Sequence, residues 1–258
     1  MGTPPRRAAS GHHLLRRRRL RRLRPLRPPP PRPRRRPLRR LVGGVGGEGR
    51  TPHRDRTRPQ ERTVTRVPLQ DPAEATGRTK EVFDRVAGYY GMVPTLQQAL
   101  APLPETTNAL WDLSLATMQE GTLGEELKRA IFVVTAAAGE CDYCTAAHML
   151  ALFRFGWSVE DCTAIVDGAA SERLDAKGNA AVEFARVVAA RPAAVTDEMV
   201  AALREVGWTD AEIVEIVTTV ALLKYTSTVA TALAVPFEKV MEPLLEGPPF
   251  RRGPRATE

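Results

Sequence analysis

The chain has 258 residues and a formal net charge of +8, an average over two opposite parts. Residues 1–66 carry 22 Arg, no Lys and three acids, a net of +19, while residues 67–258 carry 16 Lys and Arg against 27 Asp and Glu, a net of −11. A basic surface over the whole protein is therefore excluded, and three cysteines with a single close pair exclude a secreted disulfide framework.

Residues 1–66 include RRRRLRRLRPLRPPPPRPRRRPLRR and then LVGGVGGEG. A segment this poor in bulky apolar side chains is expected to be disordered. One reading is an electrostatic arm for nucleic acid or another anionic surface. The exclusive use of Arg, beside Pro and Gly, instead matches translated GC-rich upstream DNA, which makes Val64 and Val67 candidate starts. Nucleic acid is accordingly not an expected partner. LVGGVGG is too short and glycine-rich for a secretory signal.

From residue 67 the composition changes, and residues 67–245 are expected to form one helical domain, with 246–258 a disordered C-terminal tail. Apolar residues recur at helical spacing. PETTNALWDLSLATMQ (104–119) opens on Pro and is stopped by Gly121. TLGEELKRAIFVVTAAAG (122–139) has acids in its first turn and Gly139 at its end. A further helix runs from Cys141 to Phe155 and is closed by Gly156. SVED (158–161) and TDAE (209–212) are capping-box patterns, and Thr196 caps another helix that ends at Gly207. GWSVEDCTAIV (156–166) and GWTDAEIVEIV (207–217) resemble each other, as a duplicated helix-turn-helix unit or as two convergent helix starts. The fold class expected is all-α, with seven or eight helices. Helix 210–234 is apolar almost around its circumference, which asks for burial on several sides, one of them against a second subunit. No apolar run is expected to reach membrane-spanning length.

The chemistry concentrates in GECDYCTAAHML (139–150). On a helix Cys141 and Cys144 are neighbours on one face, with His148 one turn beyond Cys144, so all three share a stripe. The helix start favours a thiolate on Cys141. An imidazole four residues on favours Cys144, as base for its proton. The second argument also accounts for the leaving-group proton. It makes Cys144 the peroxide-reactive thiol and Cys141 the partner that closes a disulfide. Histidines 12, 13 and 53 lie before residue 67, so His148 is the one histidine of the folded part. A zinc site needs further ligands than Cys162 supplies, and Cys162 reads as a small buried side chain.

CDYCTAAH resembles the Cys-x-Tyr-Cys-x-x-x-His signature of the AhpD-like alkylhydroperoxidases, within the carboxymuconolactone decarboxylase superfamily. GMVPTLQQALAPLPE (91–105) and ARPAAVTDEMVAALREVGWTDAEIVEIV (190–217) are similar to its flanking segments, so that the resemblance covers roughly residues 67–237. It implies an all-helical, oligomeric fold. It also implies peroxide reduction in which Cys144 becomes the sulfenic acid, Cys141 the proton donor and disulfide partner, and His148 part of a proton relay. Many members carry a relay Glu twelve residues before the first Cys; here that position is Arg129. Glu125 and Glu126 lie one turn earlier as substitutes, and Arg129 itself is a candidate for stabilising a thiolate or a peroxide oxygen. Tyr143 stands between the cysteines, and KYTSTVAT (224–231) departs from the family's usual Asn, Arg or Asp.

The expectation is a cytoplasmic thiol peroxidase that needs no metal or flavin. Its partners would be a hydroperoxide, an external dithiol reductant (a lipoyl-protein or a thioredoxin-like protein) and further copies of itself, with no membrane. The rival readings are a non-catalytic redox sensor and a decarboxylase acting on a lactone.

Overall fold

The computed structural model describes residues 65–250. The expectations for residues 1–64 and for the last part of the C-terminal tail lie outside the described residues. Among the described residues all regular structure is helical: nine α-helices and three short 3-10 segments. The α-helices are α1 (Gly77–Tyr90), α2 (Thr95–Leu100), α3 (Pro104–Gln119), α4 (Glu125–Ala138), α5 (Asp142–Phe153), α6 (Val159–Asp167), α7 (Ala176–Ala190), α8 (Asp197–Glu205) and α9 (Asp210–Leu233).

α4 is the central element and packs against α3, α5, α6, α7 and α9. Its run Ala130–Ala136 is buried throughout, because EELKRAIFVVTAAA is apolar beyond its first turn. On one side α4 meets α6, α7 and the first half of α9 around Ile131, Leu152, Ile165 and Ile216. On the other, Phe132 and Ala136 join Leu96, Leu100, Leu222, Leu223 and both cysteines of α5 in a second apolar cluster. Full burial of each such Leu or Ile contributes about 1.5–3 kcal/mol relative to exposure.

Both expected capping boxes form, at Ser158/Asp161 and at Thr209/Glu212. The two Gly-Trp segments also share one turn. Gly156 and Gly207 both have positive φ (82° and 93°). The following Trp157 and Trp208 amides reach back to Leu152 and Leu203. The indoles then diverge: Trp157 donates to Glu126 at 2.6 Å and Trp208 to the Lys177 carbonyl at 2.9 Å.

Three features are not part of the sequence reading. Thr65 and Arg66, assigned by the sequence to the tail, hydrogen-bond to the Leu233 and Ala232 carbonyls at the end of α9. At the other end Pro249 is buried and Phe250 packs partly against the core. Finally, α9 does have the length and mean hydropathy (24 residues, 1.4) of a membrane span, contrary to the sequence reading. It packs against α3, α4, α5 and α7, and eight of its residues are buried there.

α4 and α9 are locked by one ion pair. Lys128 is 1% exposed. Its Nζ lies 2.8 Å from Glu215 Oε1 and 2.6 Å from the Glu120 carbonyl. The other Glu215 oxygen accepts from the Thr122 amide at 2.9 Å, so one carboxylate also closes the α3–α4 loop.

Candidate functional site

The α4–α5 connection places the first cysteine. The Cys141 amide donates to the Ala136 carbonyl at 3.0 Å and the Glu140 amide to Ala137 at 3.2 Å. This is a Schellman turn, in which the residue in the left-handed region is usually Gly. Here it is Glu140, at φ 53°. The same Cys141 then acts as N-cap of α5, its sulfur accepting from the Cys144 amide at 3.3 Å.

Both cysteines are free and 2% exposed. Hydrogen bonds from the Cys144 thiol, the Thr231 hydroxyl and the Cys144 amide to Cys141 outweigh its burial and hold its thiol below the ordinary range. Cys144 is driven the opposite way. Its hydrogen bond to Cys141, its burial, and the charges of Cys141 and Glu238 push it well up. The pair shares protons and titrates as a unit. In its singly ionised form the thiolate rests on Cys141 with Cys144 as donor, the sulfur favoured by the helix start.

His148 is partly buried one turn along α5, its ring 4.6 Å from that of Phe132. Arg129 Nη1 lies 3.4 Å from His148 Nδ1. A guanidinium only donates, so Nδ1 is the acceptor and the neutral ring carries its hydrogen on Nε2. Burial first, and the Arg129 cation second, hold His148 well below its ordinary pKa. This tautomer offers an N–H from Nε2 rather than a lone pair, which does not suit the expected role as base for Cys144.

Arg129 is not a solvated side chain. It is 6% exposed and donates from Nε and Nη2 to Glu125 Oε1 at 3.2 and 3.0 Å. Glu125 is thus brought to Arg129, and through it to His148. Glu126 is not brought there, since its Oε1 accepts from the Trp157 indole. Tyr143 is buried and its hydroxyl donates to Glu238 Oε1 at 2.9 Å. Burial and the Glu238 charge keep that phenol well above its usual pKa, hence protonated and donating. Cys162 belongs to the other apolar cluster, and burial pushes its thiol to about 12. It is not a partner for the pair. Among the described residues no three His, Cys, Asp or Glu side chains form a metal-donor group.

Glu238 and Thr95 were not singled out from the sequence. Oε1 of Glu238 also accepts from the Thr95 amide at 2.9 Å and hydroxyl at 3.1 Å. The one available signal was that no acid occurs between Glu215 and Glu238.

The site is thus two buried free cysteines at the start of one helix in an all-helical body. The carboxymuconolactone decarboxylase family description matches residues 104–187. Similar solved structures include an AhpD-core, peroxidase-related protein from Ralstonia eutropha JMP134 (23% identity, 69% of this chain and 94% of that one, TM-score 0.62). A peroxidase-related protein from Silicibacter sp. TM1040 is similar at 25% identity over 72% and 97% of the two chains, with TM-score 0.59. The debrominase Bmp8, solved with 2,3,4-tribromopyrrole, shares the fold at 19% identity over 72% and 98%, with TM-score 0.62. No curated protein matches. The fold is thus shared with AhpD-like, peroxidase-related structures, and residues 104–187 carry the carboxymuconolactone decarboxylase match.

Proposed function

We propose that the protein is a thiol-dependent peroxidase that reduces hydroperoxides through a Cys141–Cys144 disulfide. The observation that carries this reading is the buried, hydrogen-bonded pair of reduced thiols at the start of α5. Cys144 attacks the terminal peroxide oxygen as its proton passes along the existing hydrogen bond to the Cys141 thiolate. The O–O bond breaks, Cys144 becomes a sulfenic acid, and the alkoxide takes a proton from water beside the His148 Nε2–H. Cys141, now a thiol, attacks the Cys144 sulfur; the S–S bond forms and water leaves. The two sulfurs lose two electrons, the peroxide gains two, and an external dithiol resets the pair. Arg129 fixes the His148 tautomer, and neither metal nor flavin takes part.

The test is single-turnover oxidation of the pre-reduced protein by cumene hydroperoxide, with thiols counted against time. The expected result is loss of two thiols per chain, much faster than for a free thiol, abolished in Cys144→Ser and slowed in His148→Ala. Loss no faster than for a free thiol overturns the reading in favour of a redox sensor. Lactone consumption that survives Cys144→Ser overturns it in favour of a decarboxylase.

A further inference from the structure

Glu238 lies beyond α9, outside the segment matched by the family description. It is 8% exposed, so its carboxylate is buried. Its two oxygens are treated very differently. Oε1 receives three donors: the Tyr143 hydroxyl, the Thr95 amide and the Thr95 hydroxyl. Oε2 is buried and, among the described residues, has no hydrogen-bond partner. A buried acceptor without a donor is costly and uncommon. The donors on Oε1 fix the plane of the carboxylate, which leaves Oε2 with a defined direction and no donor in it. The residue that holds Glu238 from α5 is Tyr143, the neighbour of Cys144 in sequence, and the carboxylate's charge reaches the Cys144 sulfur. The apolar cluster that holds Tyr143 and both cysteines includes Leu96, Leu100, Val235 and Met241.

We propose that Oε2 of Glu238 is a substrate acceptor, which receives the O–H of a neutral organic hydroperoxide and so aims its terminal oxygen at Cys144. This rests on the peroxidase reading and adds to it a binding group. The O–H proton stays on the terminal oxygen when that oxygen joins sulfur, so the same hydrogen bond then holds the sulfenic acid until Cys141 closes the disulfide. Glu238 gains and loses no proton in this cycle. Anionic peroxides bring a charge against a buried carboxylate and lack the O–H, so they are poor substrates.

Glu238→Gln is a sharp test because of the three donors. The amide oxygen must take the place of Oε1 to keep them, which puts the NH2 group where Oε2 stood. The shape and the Tyr143 and Thr95 contacts persist, while the one open acceptor becomes a donor. Two rates are measured on the reduced full-length protein: oxidation by cumene hydroperoxide and alkylation by iodoacetamide, which has no peroxide O–H. In Glu238→Gln oxidation is expected to slow by about tenfold or more. Alkylation of Cys144, resolved from that of Cys141 by peptide mass spectrometry, is expected to be unchanged or faster, because a charge that opposes its thiolate formation is gone. Glu238→Asp, which keeps the charge but retracts the oxygens, should lose oxidation rate with alkylation as in the wild type. Equal oxidation by wild type and Glu238→Gln overturns the inference while the peroxidase reading stands. A parallel fall in both rates shows that Glu238 only supports the fold, and overturns it also. Slow oxidation of the wild type itself removes the peroxidase reading and this inference with it.

Discussion

Replacing Gly121 by Ala should cost far more than a loop glycine usually does. Gly121 has φ +88°, and a Cβ there would lie 2.2 Å from Glu215 Oε1, 2.3 Å from its Cδ and 2.5 Å from Oε2. A carboxylate at the end of a flexible side chain normally swings aside. This one is tied to Lys128 Nζ and to the Thr122 and Leu123 amides, so moving it leaves a lysine that is 1% exposed without its counter-charge. The left-handed backbone costs a residue with a Cβ about 1–2 kcal/mol, and breaking a buried ion pair about 3–5 kcal/mol. The expected loss for Gly121→Ala is therefore about 4–7 kcal/mol, and for Glu215→Ala about 3–5 kcal/mol. The double variant should lose only about 1–2 kcal/mol more than Glu215→Ala, since truncating Glu215 removes the clash and leaves the backbone cost. Urea denaturation of the reduced protein at neutral pH measures all three. A Gly121→Ala cost of about 1–2 kcal/mol alone, or losses that add to within about 0.5 kcal/mol, would refute the reasoning.

Because His148 is held below its ordinary pKa in the folded state, the unfolded chain binds more protons there. Its contribution to stability is complete above about pH 6.5 and is lost as pH falls toward the depressed folded value. Arg129→Gln removes the second cause of the depression and should flatten that loss, with His148 titrating at higher pH by NMR; an unmoved imidazole would contradict the assigned contact. In the reduced protein iodoacetamide should label Cys141 before Cys144 and leave Cys162 unmodified until the chain unfolds, as peptide mass spectrometry can report. Ala234 closes α9 in the left-handed region, at φ 52°. Ala234→Gly should raise stability by about 1 kcal/mol in the same urea assay, and an unchanged midpoint would contradict strain at that turn.

The elements that could be read from the sequence are those built from neighbours in the chain. The helix of 104–119 was read to the residue, and both capping boxes formed where Ser158 and Thr209 announced them, because a cap is satisfied within three residues. Helical period alone put Cys144 and His148 one turn apart on α5, whereas Cys141 sits at its N-cap. Gly121 was recognised as a stop, but its reason, a carboxylate from α9, was not, because that contact joins residues 93 or so positions apart. The same limit hid Glu238, which meets Tyr143 across 95 positions. The choice between the cysteines also turned on tertiary partners. The Thr231 hydroxyl adds to the hold that the Cys144 hydrogen bonds within α5 already give Cys141, and the Arg129 guanidinium sits beside the imidazole; neither of these two partners lies on α5.

Cys141 belongs to two helices at once. Its amide completes the turn that ends α4, and its sulfur begins α5. A bond between Cys141 and Cys144 takes the sulfur from the Cys144 amide, so the first turn of α5 loses its cap at the moment the thiols are oxidised. The amide remains anchored to α4 throughout. The chemical state of two sulfurs would thereby be written into the fraying of one helix end.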